Sequence, residues 1–203
     1  MMIERSDKQP LPQFDFIDLP SEDAAKRLIG CELVREVDGE LLRARIVETE
    51  AYDQDDPASH THRGETDRNR AMFDAAGHLY VYQIHGIHYC CNVVTGRAGY
   101  GSGALIRAVE PLEGRAYMES RRGRGGVELT NGPGKVCQAL GIDRSLTRHD
   151  LSLAPLQLLE RDPVPLENIA SSLRVGISKA ADLQRRFYLR GNPFVSRFHG
   201  APS

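Results

Sequence analysis

The chain has 203 residues, of which 40% are hydrophobic and 27% are charged, a balance typical of one globular domain with a full core. No apolar run approaches the roughly 20 residues of a membrane helix, and the polar N-terminus lacks an apolar signal core, so we expect neither a membrane span nor secretion. The net charge of −2 does not mark a nucleic-acid binder, and four cysteines without a C-x-x-C pair fit a reducing cytoplasm better than a disulfide or zinc framework.

The N-terminal part of the chain predicts a tail, a short helix and a hairpin. Residues 1–15 are expected to form a flexible tail. Ser21 is the predicted N-cap of a helix that ends at Gly30. Two strands are predicted over 31–37 and 40–52, because an Asp-Gly pair between them is a strong hairpin signal.

The middle of the chain predicts a long loop and a second hairpin. Residues 53–70 are polar, and a loop of that length inside a compact domain is usually functional. Strands are predicted over 79–84 and 88–94, separated by His85 and a glycine, and another strand is predicted over 103–109.

The C-terminal half predicts two helices, over 111–122 and 132–140, and three short strands. Because the strands come in hairpins and the helices are interspersed irregularly, the pattern favours an α+β fold with a mixed or antiparallel sheet, in a single domain over residues 16–203. The three strands are predicted over 156–159, 173–177 and 186–189.

One predicted strand carries two carboxylates and an aromatic ring on the same face. Alternate residues of a strand share a face, so Ile46, Glu48, Glu50 and Tyr52 point the same way. A solvent-facing strand would explain this pattern. The alternative is a carboxylate beside a stacking platform, as purine chemistry would require.

Aromatic residues of nearby segments could complete such a platform. Tyr80 and Tyr82 alternate on a predicted strand, where tyrosines are also common in cores, and a single loop histidine such as His60 is more often solvated. Together, however, Tyr52, His60 and Tyr82 could sandwich a flat heterocycle. Stacking of a base on an aromatic ring contributes ~1–3 kcal/mol.

The cationic residues also leave two interpretations open. Lys occurs four times and Arg 22 times, which suits contacts with phosphates and bases but also arises from a GC-rich genome. The Gly-Pro-Gly-Lys segment at 132–135 is either a plain turn or a phosphate site formed by backbone N–H groups and Lys135. A metal site at His85 and His88 would need a turn between them, because residues three apart in a strand point to opposite faces.

Seven segments keep a characteristic order and spacing from about Leu28 to Ser196. Together they resemble the alkyladenine (3-methyladenine) DNA glycosylase family, which is more specific than any single motif. The resemblance implies one domain with a curved, mainly antiparallel sheet, surrounding helices, a protruding β-hairpin, and neither a metal nor an organic cofactor. The segments are RIVETEAY at 45–52, DRNRAMF at 67–73, LYVY at 79–82, LIRAVEPLEG at 105–114, GPGKVCQAL at 132–140, RVGI at 174–177 and RGNPFVS at 190–196.

The resemblance implies an enzyme that flips a damaged purine out of duplex DNA and hydrolyses its N-glycosidic bond with an activated water, without cutting the strand. The implied substrates are alkylated or deaminated purines of the 3-methyladenine, hypoxanthine and ethenoadenine class. By this resemblance Glu50 is the general base, and Arg107 and the Val175 backbone hold the same water.

The resemblance also assigns the residues that receive the flipped base. Tyr52 would stack on one face of the base, and His60 and Tyr82 on the other. Asn92 would occupy the position that excludes the 2-amino group of guanine, and Leu105 would line the pocket.

The implied DNA contacts depart from the family at one point. Where the family often has a tyrosine wedge at the hairpin tip, this chain has His85, followed by Ile87. Imidazole is smaller and titrates near neutrality, which affects the strength and the pH dependence of flipping. The residues expected to contact the DNA backbone are Lys135, Arg121, Arg122 and Arg124.

The expected partner is double-stranded DNA with damaged purines, bound by a monomer in the cytoplasm, or at the nucleoid in a bacterium. Two alternatives remain open. A non-catalytic nucleic-acid-binding or damage-sensing module of the same fold would not need Glu50. A hydrolase of small nucleosides would not need the hairpin wedge or the cluster formed by Arg115, Arg121, Arg122 and Arg124.

Overall fold

One eight-stranded antiparallel sheet organises residues 12–197, the part of the chain that the computed structural model describes. The strand order is β3-β4-β5-β2-β1-β6, and β8 pairs with both β2 and β7. This confirms the α+β class and the curved antiparallel sheet. The strands are β1 (Glu32–Val37), β2 (Glu40–Asp53), β3 (Leu79–Ile84), β4 (His88–Val94), β5 (Ser102–Glu113), β6 (Leu156–Leu159), β7 (Ile169–Ser172) and β8 (Arg186–Leu189).

Strand β2 is the long central element that connects the two parts of the sheet. Its first half pairs with β1, and its residues Glu48 to Glu50 pair with β8. Between Ile46 and Thr49 its register with β5 shifts twice, and such bulges bend a strand and increase its twist. The sheet therefore curls around the segment that carries the two carboxylates.

Within residues 12–197, three α-helices contribute buried residues to one core cluster on one face of the sheet: α1 (Ser21–Leu28), α2 (Arg115–Arg122) and α3 (Pro133–Leu140). α2 does so by packing on α3. α1 packs on β2 and β5, and α3 packs on β4 and β5. The main core lies on this side. Short 3-10 helices complete the fold at Pro12–Ile17, Arg70–Phe73, Gly126–Leu129, Arg144–Leu146 and Leu166–Asn168.

Strand alternation separates the core from the opposite face of the sheet. On β5, Ala104 and Ile106 belong to the main core cluster, and Arg107 points to the other side. On β3, Val81 belongs to the core and Tyr80 joins a small separate cluster. The face away from the helices therefore carries the polar and aromatic residues.

Four local predictions are wrong. Ile46 faces the main core instead of sharing the face of Glu48, because the register of β2 shifts between these two residues. The segment predicted as a helix from 111 begins as strand, because β5 continues to Glu113, and α2 starts only after Gly114, whose φ of +74° breaks the strand. Ser21 is the first helical residue rather than the N-cap, and its hydroxyl donates instead to Asp53 at 2.7 Å. Residues 173–177 are not a strand, since β7 ends at Ser172.

The described part of the expected N-terminal tail is anchored to the domain. Residues 12–15 lie in a 3-10 helix, and Phe14 is buried. The glycine at 77 has φ of +91°, and a Cβ there would overlap the Phe14 ring, so this glycine makes room for the anchor. Residues 1–11 of the tail and residues 198–203 lie outside the described residues.

Within residues 12–197, no helix is both long and apolar enough to cross a membrane. All four cysteines lie in this range, and each is a buried free thiol.

Candidate active site

Glu50, near the C-terminal end of β2, has a fully buried side chain. Its Oε1 atom accepts a hydrogen bond from the Val175 backbone N–H at 2.8 Å and lies 3.3 Å from Nη1 of Arg107. Its Oε2 atom accepts a hydrogen bond from the Tyr52 hydroxyl at 2.8 Å. A carboxylate tolerates burial only when its charge and lone pairs are matched in this way. The interpretation of this strand as solvent-facing is therefore wrong.

Two different mechanisms bring these groups together. Glu50 and Tyr52 share a strand face by simple alternation, and Arg107 arrives from the neighbouring strand β5, which pairs with β2 along its length. Val175 comes from the loop after β7, and that loop lies here because β8 pairs with β2 beside Glu50. The residue pattern could predict the first arrangement but not the second.

The charges at this position keep Arg107 and Tyr52 in defined protonation states. Burial on its own lowers the pKa of Arg107, but the Glu50 and Glu48 carboxylates outweigh burial and raise that pKa. Burial, reinforced by the Glu50 carboxylate, raises the pKa of Tyr52 well above its ordinary value. Arg107 therefore remains a cation, and Tyr52 remains a neutral hydrogen-bond donor.

A cavity of about 240 Å³ opens on the same face of the sheet, and the Tyr52 ring is part of its wall. Tyr52 thus connects Glu50, through its hydroxyl, with the cavity, through its ring. The cavity is smaller than typical drug-sized sites and suits a single flat heterocycle. Its lining residues are Tyr52, Ala58, Ser59, His60, Met72, Tyr80, Tyr82, Ile84, Asn92, Gly176 and Ile177.

One wall of the cavity is a cluster of three rings. The ring centres of His60 and Tyr82 are 4.6 Å apart in an edge-to-face arrangement, and those of Tyr80 and Tyr82 are 5.6 Å apart and nearly parallel. Nδ1 of His60 lies 3.0 Å from the Tyr80 hydroxyl. Burial, and secondarily the Arg68 cation, lowers the pKa of His60, so its ring is neutral at pH 7. The sequence did not decide whether Tyr80 belongs to the core or to the site, and the structure places it in this wall.

Asn92 and Leu105 occupy different positions relative to the cavity. Asn92 lines the cavity and is only 4% exposed, and its Nδ2 lies 3.5 Å from the Tyr80 carbonyl oxygen. Leu105 is the cross-strand neighbour of both Asn92 and Glu50, but it is buried and is not among the residues that line the cavity. A lining role for Leu105 therefore requires the wall to move when a base enters.

Sequence reasoning missed the residues that support Tyr52 from behind. The guanidinium carbon of Arg174 lies 4.6 Å from the centre of the Tyr52 ring, a cation–π contact. Arg174 is held there by a fully buried ion pair with Asp56 and by the Ala51 carbonyl oxygen at 3.1 Å. Arg174 and Asp56 are 118 residues apart, so no local pattern signals their contact.

The histidines and cysteines near the second hairpin do not assemble into a metal site. Within residues 12–197, no group of three or more His, Cys, Asp and Glu side chains is arranged to hold a metal ion. His85 and His88 are exposed, whereas Cys90 and Cys91 are buried. Burial, with Cys91 nearby, raises the pKa of Cys90 to about 11, so this thiol stays protonated at neutral pH.

The methylpurine-DNA glycosylase family matches residues 15–193, nearly the whole chain. The chain belongs to this family. A protein of Carboxydothermus hydrogenoformans is 48% identical over 175 residues, which cover 85% of this chain and 92% of the relative. A protein of Methanoculleus marisnigri is 49% identical over 186 residues, 90% of this chain and 96% of the relative. Both relatives are provisionally named 3-methyladenine DNA glycosylases. Membership confirms the resemblance and makes this chain a DNA glycosylase of base-excision repair.

The β3–β4 hairpin of this glycosylase ends in a tight turn with an exposed tip. The loop consists of residues 85–87, and the φ angles of His85 and Gly86 within it are both positive, +49° and +72°, as in a type I′ turn. Ile87 is 72% exposed, although an isoleucine normally avoids water. The predicted wedge residues His85 and Ile87 therefore lie together at the tip.

The four cations predicted to contact phosphates differ in their surroundings. Arg122 donates to the Gln138 side chain at 2.6 Å, Arg121 donates to the Gln138 carbonyl oxygen at 3.1 Å, and Lys135 donates to Glu128 at 2.6 Å. Arg124 is exposed and has no hydrogen bond or ion pair within residues 12–197. Arg124 could therefore bind a phosphate without breaking an existing hydrogen bond, unlike Arg121, Arg122 and Lys135.

Proposed function

We propose that the chain is a monofunctional glycosylase that flips an alkylated or deaminated purine out of duplex DNA and hydrolyses its N-glycosidic bond. The observation that carries this proposal is the buried Glu50 carboxylate, with Arg107 and the Val175 N–H around it, directly behind the Tyr52 wall of the cavity. The names of the relatives support 3-methyladenine as one substrate. Hypoxanthine and ethenoadenine belong to the same proposed class.

In the proposed reaction, Glu50 activates the water that attacks C1′ of the flipped nucleotide. The C1′–N bond breaks as the new C1′–O bond forms, the water proton passes to Glu50, and the bonding electron pair leaves with the base. The transition state resembles an oxocarbenium ion, which a nearby carboxylate stabilises. Arg107 keeps Glu50 ionised and in place. Tyr52 donates to Oε2, so the water binds at this oxygen when Tyr52 moves against the base.

Extruding a base from the duplex costs a few kcal/mol, and the protein must supply that free energy. Stacking on Tyr52, and on His60 and Tyr82 from the other side, contributes ~1–3 kcal/mol per base. Asn92 excludes purines with a 2-amino group, because its nearly buried amide leaves no room or partner for that group.

On the DNA side, His85 and Ile87 would fill the gap that the flipped nucleotide leaves. The phosphate contacts would come from Arg121, Arg122, Arg124 and Lys135, and these contacts position the duplex without reading its sequence. We propose that the enzyme acts as a monomer in the cytoplasm, at the nucleoid if the source is a bacterium.

Hydrolysis rather than strand cleavage is proposed because a cleaving glycosylase usually needs an amine that forms a Schiff base. No lysine is present among the described residues that line the cavity. Lys135 donates to Glu128 and Asn131, neither of which lines that cavity.

The test measures release of free base from duplex oligonucleotides that carry one hypoxanthine or one 3-methyladenine, under single-turnover conditions. We expect base release with the strand intact until alkali is added. Binding of all lesion duplexes without release would instead indicate a damage sensor. Equal activity on free inosine would indicate a nucleoside hydrolase.

A further inference from the structure

A second carboxylate, Glu48, lies behind the active site and does not touch the cavity. Its side chain is fully buried. Oε1 of Glu48 accepts hydrogen bonds from Nε of Arg107 at 3.1 Å, from Nε of Arg186 at 2.6 Å and from the Ser196 hydroxyl at 2.7 Å. Oε2 accepts the Ser196 backbone N–H at 2.7 Å. Both oxygens of Glu48 are therefore bonded within the protein, and its fully buried side chain is not part of the cavity wall.

Arg107 connects this carboxylate to Glu50. Its Nε atom faces Glu48 and its Nη1 atom lies 3.3 Å from Glu50. Because a guanidinium is planar and rigid, holding one edge of it determines where the other edge points. The position of Nη1 against Glu50 thus depends on the bond that Nε makes with Glu48.

The segment that follows β8 holds Glu48 in place. Nη2 of Arg186 donates to the Ser196 carbonyl oxygen at 2.8 Å, which joins β8 to the residues that follow it. Phe194 is buried against Val47 and Ala108, one on each of the strands that carry Glu48 and Arg107. The last described residues therefore close over the back of the active site.

Resting on the function proposed above, we propose that Glu48 is a positioning residue for glycosidic hydrolysis, which orients Arg107 toward Glu50 and is itself held by Arg186 and Ser196. Arg107 forms an ion pair with each of the two carboxylates. A misplacement of about 1 Å in such a group costs up to about 100-fold in rate. Glu48 thus acts on the rate of the chemical step and not on the binding of DNA.

The first test replaces Glu48 with glutamine and measures single-turnover release of hypoxanthine together with the affinity for the lesion duplex. The matched control is Glu32→Gln, because Glu32 is also a sheet carboxylate bound by two arginines, Arg43 and Arg161, but lies on β1 away from the cavity. We expect Glu48→Gln to lower the excision rate about 10- to 100-fold and to leave the affinity within about threefold. Glu32→Gln should leave both unchanged.

The second test asks whether Glu48 acts through Arg107. The excision rates of Glu48→Gln, Arg107→Lys and the double variant form a cycle, and residues that act through one another give non-additive effects. We expect the double variant to be no slower than Arg107→Lys alone. Multiplied losses, or a wild-type rate in Glu48→Gln, would overturn the proposal.

Ser196→Ala covers the case in which Glu48→Gln does not fold, because it removes one hydroxyl and keeps every charge. We expect an excision rate about 3- to 10-fold below wild type at unchanged duplex affinity. A wild-type rate for this variant, with its fold confirmed by circular dichroism, would then overturn the proposal. Failure of the proposed function itself would appear differently, as absent excision by the wild-type protein.

Discussion

Glu48 and Glu50 are the same residue type on one face of one strand, both are fully buried, and both contact Arg107. Their other partners differ. Glu48 is enclosed by donors that never reach the cavity, among them both donors of Ser196. Glu50 shares one oxygen with the hydroxyl of Tyr52, whose ring is part of the cavity wall.

If Glu50 and Glu48 act as proposed, their surroundings indicate what separates a reactive carboxylate from a positioning one in this fold. Burial and an arginine partner are common to both, so neither property marks the reactive group. The distinguishing feature is a partner that a substrate can displace. In the proposed reaction Tyr52 exchanges its hydrogen bond to Glu50 when a base stacks on its ring, whereas Arg186 and Ser196, the other partners of Glu48, do not line the cavity.

The largest expected effect comes from Glu50→Gln. The amide cannot accept the proton of the attacking water, and general-base assistance typically contributes 10²–10⁴-fold to the rate. We expect single-turnover excision to fall by that factor and the affinity for the lesion duplex to persist. Glu32→Gln serves as the control here too. A Glu50→Gln variant that excises as fast as Glu48→Gln would remove the distinction between the two carboxylates.

The second-largest effect is on stability, and here replacing Glu48 should have a larger effect than replacing Glu50. Glu48→Ala leaves both Arg107 and Arg186 without their shared carboxylate, and breaking a buried pair costs about 3–5 kcal/mol. Glu50→Ala leaves Arg107 with Glu48 as its partner. We therefore expect the larger loss in the free energy of unfolding, measured with urea, for Glu48→Ala. Equal losses would contradict this assignment of roles.

Two variants of Tyr52 test separately its hydrogen bond to Glu50 and its ring surface for the base. In Tyr52→Phe the ring stays and the bond to Glu50 disappears, so we expect the affinity for a lesion duplex to remain within about threefold. In Tyr52→Ala the stacking surface is lost, which should weaken that affinity by about 1–3 kcal/mol. Fluorescence anisotropy with a hypoxanthine duplex measures both. An equal loss in the two variants would mean that the hydroxyl, not the ring, holds the base.

The smallest expected effect is on the pH dependence of stability, through His60 in the cavity wall. The pKa of His60 is lowered in the folded protein below its ordinary 6.5, by burial and then by Arg68, so the unfolded chain binds the proton more tightly. The stabilisation that this shift provides is complete above pH 6.5 and is lost as the pH falls through the folded-state pKa. We expect the melting temperature to fall less between pH 7.5 and 5.5 in His60→Gln than in wild type. Parallel pH curves for the two proteins would exclude the contribution of His60.

The sequence predicted the features of this protein that depend on neighbouring residues. Strand alternation put Glu48, Glu50 and Tyr52 on one face, and a family resemblance over most of the chain indicated the glycosylase fold and the candidate base. The turn between β3 and β4 followed from His85 and the glycine after it, because only a residue that accepts positive φ fits there. These are local properties of the backbone, so the order of residues alone determines them.

Only the tertiary structure decided which groups surround the two carboxylates. Ser196 reaches Glu48 across 148 positions, and Val175 reaches Glu50 across 125. The alternating apolar residues around Val175 predict a strand, but this segment forms a loop. In that loop the Val175 N–H donates to Glu50, and Arg174 forms a buried ion pair with Asp56. A buried charge must find a partner wherever the fold brings one, and that partner is set by packing between distant segments rather than by spacing along the chain.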